Sequence, residues 1–251
     1  MDPTYIVCLL PGSPGDPPMT ALLSVALAAF LAAPAAGPWS VTLREVVEQT
    51  PDGHVDLQVA VPVLAGDARP AVRDALNQAL WKASNADKLQ GEAADCRSRH
   101  EARLAAGAGE ELPVDSPYHC GVACEVGTAG PERVSVCFKA GGYAFGMATG
   151  FTYWKGCTFD AQTGEPLDLP GLLGPGWRDR LEPLLKEYLR PGAKDYFQDW
   201  EARLDKAEPG FYLRPASMVV FFQKYELAAG VMGVVSVEIP LARLGTLVVP
   251  N

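Results

Sequence analysis

Apolar residues alternate with polar ones over 40–48 (Val41, Leu43, Val47) and again over 55–64 (Leu57, Val59, Val61, Val63), the period of two expected of half-buried strands. After Arg69-Pro70 the interval changes. Val72, Leu76, Ala79, Leu80 and Ala83 recur at helical spacing with a proline in the first turn, so an amphipathic helix should pack on the two strands. Helix is expected to continue through Arg103, before a loop at Gly107-Ala108-Gly109. Three antiparallel strands follow at 118–126, 132–139 and 151–159, the first two joined by a turn within 127–131. A turn over 160–165 and the breakers Gly174-Pro175-Gly176 precede a helix with Leu181, Leu184, Leu185, Tyr188 and Leu189 on one side, and Pro191-Gly192 ends it. A second short helix over 195–204 presents Tyr196, Phe197 and Trp200. The chain closes as a β-meander over 211–214, 217–225 and 234–239, with a last turn at 241–244. Strands and helices mix without strict βαβ alternation, which predicts an α+β fold: a mostly antiparallel sheet, two or three packing helices and a C-terminal meander.

The run from Met19 to Ala36 is apolar and small throughout and ends in Ala33-Pro34-Ala35, the small-residue pattern of a signal-peptidase site. From Ala21 to Ala36 it has 16 residues, short of the ~20 that cross a bilayer, so no stable membrane span is expected after cleavage. Residues 1–18 read as an upstream extension with Met19 as the start, although no Lys or Arg precedes Arg44. The expected organisation is therefore a leader over 1–35, a strand-helix-strand part over 36–130 and a C-terminal part over 131–251, the last two packed as one unit, in a periplasmic or secreted protein. Cleavage after Ala35 leaves 216 of the 251 residues and moves the net charge from −9 to −7.

That acidity argues against nucleic acid, whose phosphates need clustered Lys and Arg, and favours a basic partner. An oxidising compartment makes disulfides the expected fate of most of Cys96, Cys120, Cys124, Cys137 and Cys157, one of which must remain over. Fifteen connectivities are open. Cys120 and Cys124 lie about 13 Å apart on one strand face, beyond the ~7 Å limit for a bridge. A tight turn at Thr128-Ala129 would set Cys120 opposite Cys137, and the next strand would bring Cys157 near Cys137. Metal binding is not expected, because the three histidines, His54, His100 and His119, lack a zinc-peptidase spacing and a cysteine pair spread along a strand is too wide for one ion. Nucleophile-elbow, Ser-x-x-Lys, phosphate-loop and dinucleotide motifs are also missing, so no cofactor and no catalytic residue is assigned. The carboxylates Asp199 with Glu201, and Glu110 with Glu111, read as solvated, and the aromatics Phe211, Tyr212, Phe221, Phe222 and Tyr225 read as core rather than a sugar groove.

The segment Gly210-Phe211-Tyr212-Leu213, Val219 to Phe222 followed by Gln223-Lys224-Tyr225-Glu226-Leu227-Ala228, and Val237-Glu238-Ile239-Pro240 resembles the RsiV-like family of exported bacterial domains of unknown function. That domain occurs in a lysozyme-sensing anti-sigma factor and beside a peptidoglycan deacetylase. Thr158-Phe159-Asp160, Thr163-Gly164-Glu165-Pro166-Leu167 and Val61-Pro62-Val63-Leu64 extend the likeness upstream. It departs at Arg214-Pro215-Ala216-Ser217, where relatives carry an Asp-Gly turn, at Lys224, where they carry proline, and in the loop Gly146 to Gly150. The resemblance implies a non-enzymatic exported module that binds a basic protein such as lysozyme, or peptidoglycan. Partner contacts are expected at Gly146, Met147, Thr149, Gln223, Tyr225 and Glu226. An envelope hydrolase or a deacetylase-associated domain acting on peptidoglycan is the alternative, with Asp160 and Glu226 as its carboxylates.

Overall fold

The computed structural model of the chain describes residues 39–66, 69–106, 117–143 and 150–245, and residues 1–35, expected to form a leader, lie outside them. The chain is α+β, built as four layers. Strands β1 (Ser40–Gln49) and β2 (Val55–Ala65) form a hairpin, and β3 (Tyr118–Ala129), β4 (Arg133–Tyr143) and β5 (Phe151–Asp160) form a meander. They make one sheet in the order β1-β2-β3-β4-β5, antiparallel throughout except for β2 beside β3. That parallel pair, which strand periodicity does not reveal, is reached through the helical connection α1 (Pro70–Ser84) and α2 (Ala86–Ala106). The helix expected through Arg103 is thus two. Asn85 breaks it in the left-handed conformation at φ 58°, its N–H donating to the Lys82 carbonyl.

The alternation along the strands sorts two faces. Leu57, Val59, Val61, Tyr118, Cys120, Val122, Cys124, Val134, Val136 and Phe138 pack with Leu76, Leu80, Ala93 and Cys96 of the two helices. On the opposite face, Cys137 and Trp154 meet Tyr212, Val219 and Phe221 of a second sheet, β6 (Gly210–Leu213), β7 (Ser217–Phe222) and β8 (Val235–Pro240). The far side of that sheet, Met218, Val220 and Phe222, packs on α3 (Leu169–Leu173), α4 (Trp177–Leu189) and α5 (Trp200–Leu204). Packing changes over between Ala161 and Leu169, whereas residues 130 and 131 lie in the β3–β4 turn inside the first sheet. No helix among the described residues is long and apolar enough to cross a membrane.

Three local expectations need correction. The helix over 195–204 starts only at Trp200, because Tyr196 bridges Ala228 and the Phe197 N–H donates to the Leu227 carbonyl at 2.9 Å. The strand over 217–225 stops at Phe222, where residues 223–226 turn. The third concerns the disulfides proposed for Cys96, Cys120, Cys124, Cys137 and Cys157: no two of them are bonded to each other. A register shift between Val126 and Thr128 and a turn centred beyond Gly130 place Gly142, not Cys137, opposite Cys120. Cys137 faces Glu125 and the second sheet, while Cys124 faces the helices with Cys157, so the sheet itself separates them. Burial pushes the Cys120 thiol up to about 11 and the Cys137 thiol to about 12, and raises those of Cys124 and Cys157 as well. These are protonated thiols that fill the core rather than nucleophiles.

Candidate partner-binding surface

Where β7 ends, its last buried residue Phe222 hands the chain to Gln223, whose side chain turns back toward β5 rather than outward. The Gln223 amide donates to the Trp154 carbonyl at 2.7 Å and accepts from the Trp154 N–H at 3.2 Å. It therefore takes the place of a neighbouring strand on the open side of β5. The turn beyond it is closed twice: the Glu226 carboxylate accepts from the Gln223 N–H at 2.5 Å, and the Glu226 N–H donates to the Gln223 carbonyl at 3.1 Å. Lys224 donates to the Gly150 carbonyl at 3.3 Å, tying the turn to the residue at which β5's approach begins.

These bonds fix Tyr225 at φ 73°, a conformation that costs a bulky side chain about 1–2 kcal/mol. Its ring, 59% exposed, lies against Gly230, where an added Cβ would come within 2.3 Å of it. A single 3-10 turn, Gly230–Met232, follows and projects Val231 at 92% exposure and Met232 at 46%. Tyr225, Val231 and Met232 thus form an apolar ledge, and Tyr143, also exposed, borders Gly150 on the other side of Lys224.

Of the residues singled out for partner contact, Gly146, Met147 and Thr149 lie outside those described. The structure brings the other three together beside Gly150 but gives them different tasks. Gln223 and Glu226 are half-buried struts, and Tyr225 is the group they present. Val231 and Met232 were missed; two large apolar residues between Gly230 and Gly233, in a stretch too short for a strand, are the signal that points to them. Phe211, Tyr212, Phe221 and Phe222 are core, as their alternation suggested, and Tyr225 departs from that set.

Among the described residues no three His, Cys, Asp or Glu side chains converge as metal ligands would. The depression between Trp177, Leu204 and Pro209 has room for little more than a water molecule. Asp160 is buried and committed to its turn, accepting from the N–H groups of Gln162 at 2.6 Å and Thr163 at 3.0 Å. Asp160→Ala is expected to cost about 1–2 kcal/mol in a chemical-denaturation midpoint by orphaning those donors, and Asp160→Asn, which keeps an acceptor, less.

Residues 172–242 match a family model described as Protein of unknown function (DUF3298). The fold is similar to a solved member of that family from Bacteroides fragilis NCTC 9343, with a TM-score of 0.60 and 16% identity over 84% of this chain and 94% of that one. A second, from Pseudomonas aeruginosa PAO1, superposes with a TM-score of 0.54 and 16% identity, covering 85% of this chain and 96% of that one. No curated protein matches the chain. The ledge lies within the matched segment.

Proposed function

We propose that this protein is an exported, RsiV-like binding module that grips a basic protein of the cell envelope, a lysozyme-type muramidase, through the ledge of Tyr225, Val231 and Met232. The observation that carries this reading is Tyr225: a large aromatic side chain, held exposed in a left-handed backbone conformation by two side-chain struts. Strain of this kind persists where the surroundings over-determine it, as at ligand clamps. Exposed aromatic and Met side chains supply much of the contact energy in interfaces. The net charge of −7 left after removal of residues 1–35 supplies long-range attraction for a cationic partner and accelerates encounter at low salt. Buried, protonated thiols are compatible with an oxidising compartment, because oxidation and exchange proceed through an accessible thiolate.

Titration calorimetry of the purified chain against hen lysozyme at low salt is the test, with isolated peptidoglycan as a second ligand. Binding that weakens as salt rises, and that falls about tenfold or more in Tyr225→Gly and Val231→Asp, supports the reading. Tyr225→Gly should meanwhile hold or raise stability by up to about 1 kcal/mol, since glycine adopts this φ without strain. Absence of lysozyme binding at low salt overturns the muramidase assignment, and retention on peptidoglycan alone would transfer the ledge to a glycan.

A further inference from the structure

The five-stranded sheet has two outer strands: the β5 edge is partly closed by a side chain and by returning chain, and the β1 edge is not. Beyond Val59, where its pairing with β3 ends, the inner edge of β2 is sealed by Asn77 of α1, which accepts from the Leu64 N–H at 2.8 Å and donates to the Leu64 carbonyl at 3.0 Å. The β5 edge is sealed by Gln223 at Trp154 and by the returning chain, where the Leu167 N–H reaches the Thr158 carbonyl and the Asp160 N–H reaches the Glu165 carbonyl. The outer edge of β1 has ten residues with no proline and no bulge. Thr50 donates inward to Val55, so along the strand the even-numbered residues direct their N–H and C=O groups to β2, and Val41, Leu43, Glu45, Val47 and Gln49 direct theirs outward. Among the described residues none bonds to these outward backbone groups. An edge of this length without protection is a template for another strand.

We propose that the occupant is a second copy of this chain, its β1 paired antiparallel to the first about a two-fold axis through Val46, giving one continuous ten-stranded sheet. Symmetry limits the registers, and charge favours one of them. A two-fold axis perpendicular to the sheet keeps each side chain on its own face, so directly opposed residues must differ by an even number and the axis must pass through a residue. Centring on Arg44 opposes two arginines and centring on Glu45 opposes two glutamates, both unfavourable. Centring on Val46 opposes valine with valine and, twice over, Arg44 with Glu48 of the second copy. Both of those side chains stand on the helix-facing side of β1: Arg44 is exposed, its guanidinium 4.2 Å above the Trp81 ring, and Glu48 is held by Arg97. In that register Glu45 and Val47 of the two copies exchange main-chain hydrogen bonds, and Leu43 pairs with Gln49.

Sedimentation of the full chain over a concentration series should show a monomer–dimer equilibrium. Glu45→Pro removes an outward N–H and no bond to β2, so it should give a monomer with unchanged circular dichroism. Val46→Cys places two thiols in a non-hydrogen-bonded pair, close enough to bridge, and should yield a covalent dimer on mild oxidation; Val47→Cys and the parent chain should not. Arg44→Glu should raise the dissociation constant about tenfold or more, and the exchange Arg44→Glu with Glu48→Arg should restore it. A monomer at every concentration overturns the proposal, as does a dimer in which Val46→Cys fails to cross-link. If Glu45→Pro unfolds the protein, the cross-link decides alone.

Discussion

Replacing Gly156 by alanine is expected to destabilise the protein by about 3 kcal/mol or more, seen as a large drop in the urea midpoint. A Cβ at Gly156 would sit 1.8 Å from the Phe211 carbonyl oxygen and 2.6 Å from its carbon, and both atoms are backbone. No rotamer change relieves such a clash; β6 would have to lift off β5. The same holds at Gly127, where a Cβ would lie 2.0 Å from the Leu213 carbonyl oxygen. These two glycines let the short strand β6 lie directly on the first sheet, so that Ser135, buried and bonded to Thr158 at 2.8 Å, can accept the Leu213 N–H at 2.7 Å. Gly91, in the second turn of α2 with nothing within 4 Å of its would-be Cβ, is the counterpart. Gly91→Ala should stabilise by about 0.5–1 kcal/mol. A Gly156→Ala protein that unfolds at the parent midpoint would sink the account of how the two sheets meet.

Glu125→Gln is expected to cost about 2–3 kcal/mol at neutral pH. One oxygen of Glu125 accepts from Lys139 at 2.7 Å and the other from Arg214 at 2.7 Å, while Arg214 also reaches Glu238 at 2.6 Å and Lys139 lies 4.3 Å over the Trp154 ring. Without the carboxylate, two partly buried cations are left facing each other. Burial alone would push the Glu125 carboxyl up, but the bonds from Lys139 and Arg214 outweigh it and hold the group below the ordinary range. A folded-state value lower than the unfolded one means the contribution is present above about pH 4.5 and is lost as pH falls through the folded value. Denaturation midpoints measured from pH 7 down to pH 3 should therefore fall more steeply in the parent chain than in Glu125→Gln. Parallel profiles would remove Glu125 from the acid response.

The strands and the amphipathic helices could be read from the sequence because local periodicity fixes them: β1, β2 and β5 fall within two residues of where alternation puts them, as does α4. Pairing is not a local property. The turn beyond Gly130, together with a one-residue bulge at Gly127, sets Cys120 opposite Gly142 rather than Cys137, and nothing in the alternation of either strand encodes it. The five-residue helix α3 carries too few turns to display a period, though Asp168 caps it by accepting from the Gly171 N–H at 2.7 Å. At the candidate surface, sequence picked out Gln223, Tyr225 and Glu226 as neighbours but could not say which face outward. That division depends on Trp154, 69 residues away from Gln223 along the chain. Side chains that resemble binding groups in one dimension serve as scaffold in three, and the strained residue they hold is the one offered to solvent.

The parallel pairing of β2 with β3 has a kinetic consequence. The β1–β2 hairpin, the β3–β4–β5 meander and the β6–β7–β8 meander each join neighbours in sequence and close short loops. Val55 meets Tyr118 only after both helices and the connection between them have been spanned, so this contact carries the largest loop-closure entropy within the first sheet. Until it forms, the hairpin and the meander each present an unpaired edge and a bare apolar face. The joining of β2 to β3 is therefore expected to be the slow step of folding, and the interval before it the one in which the chain is most exposed to aggregation.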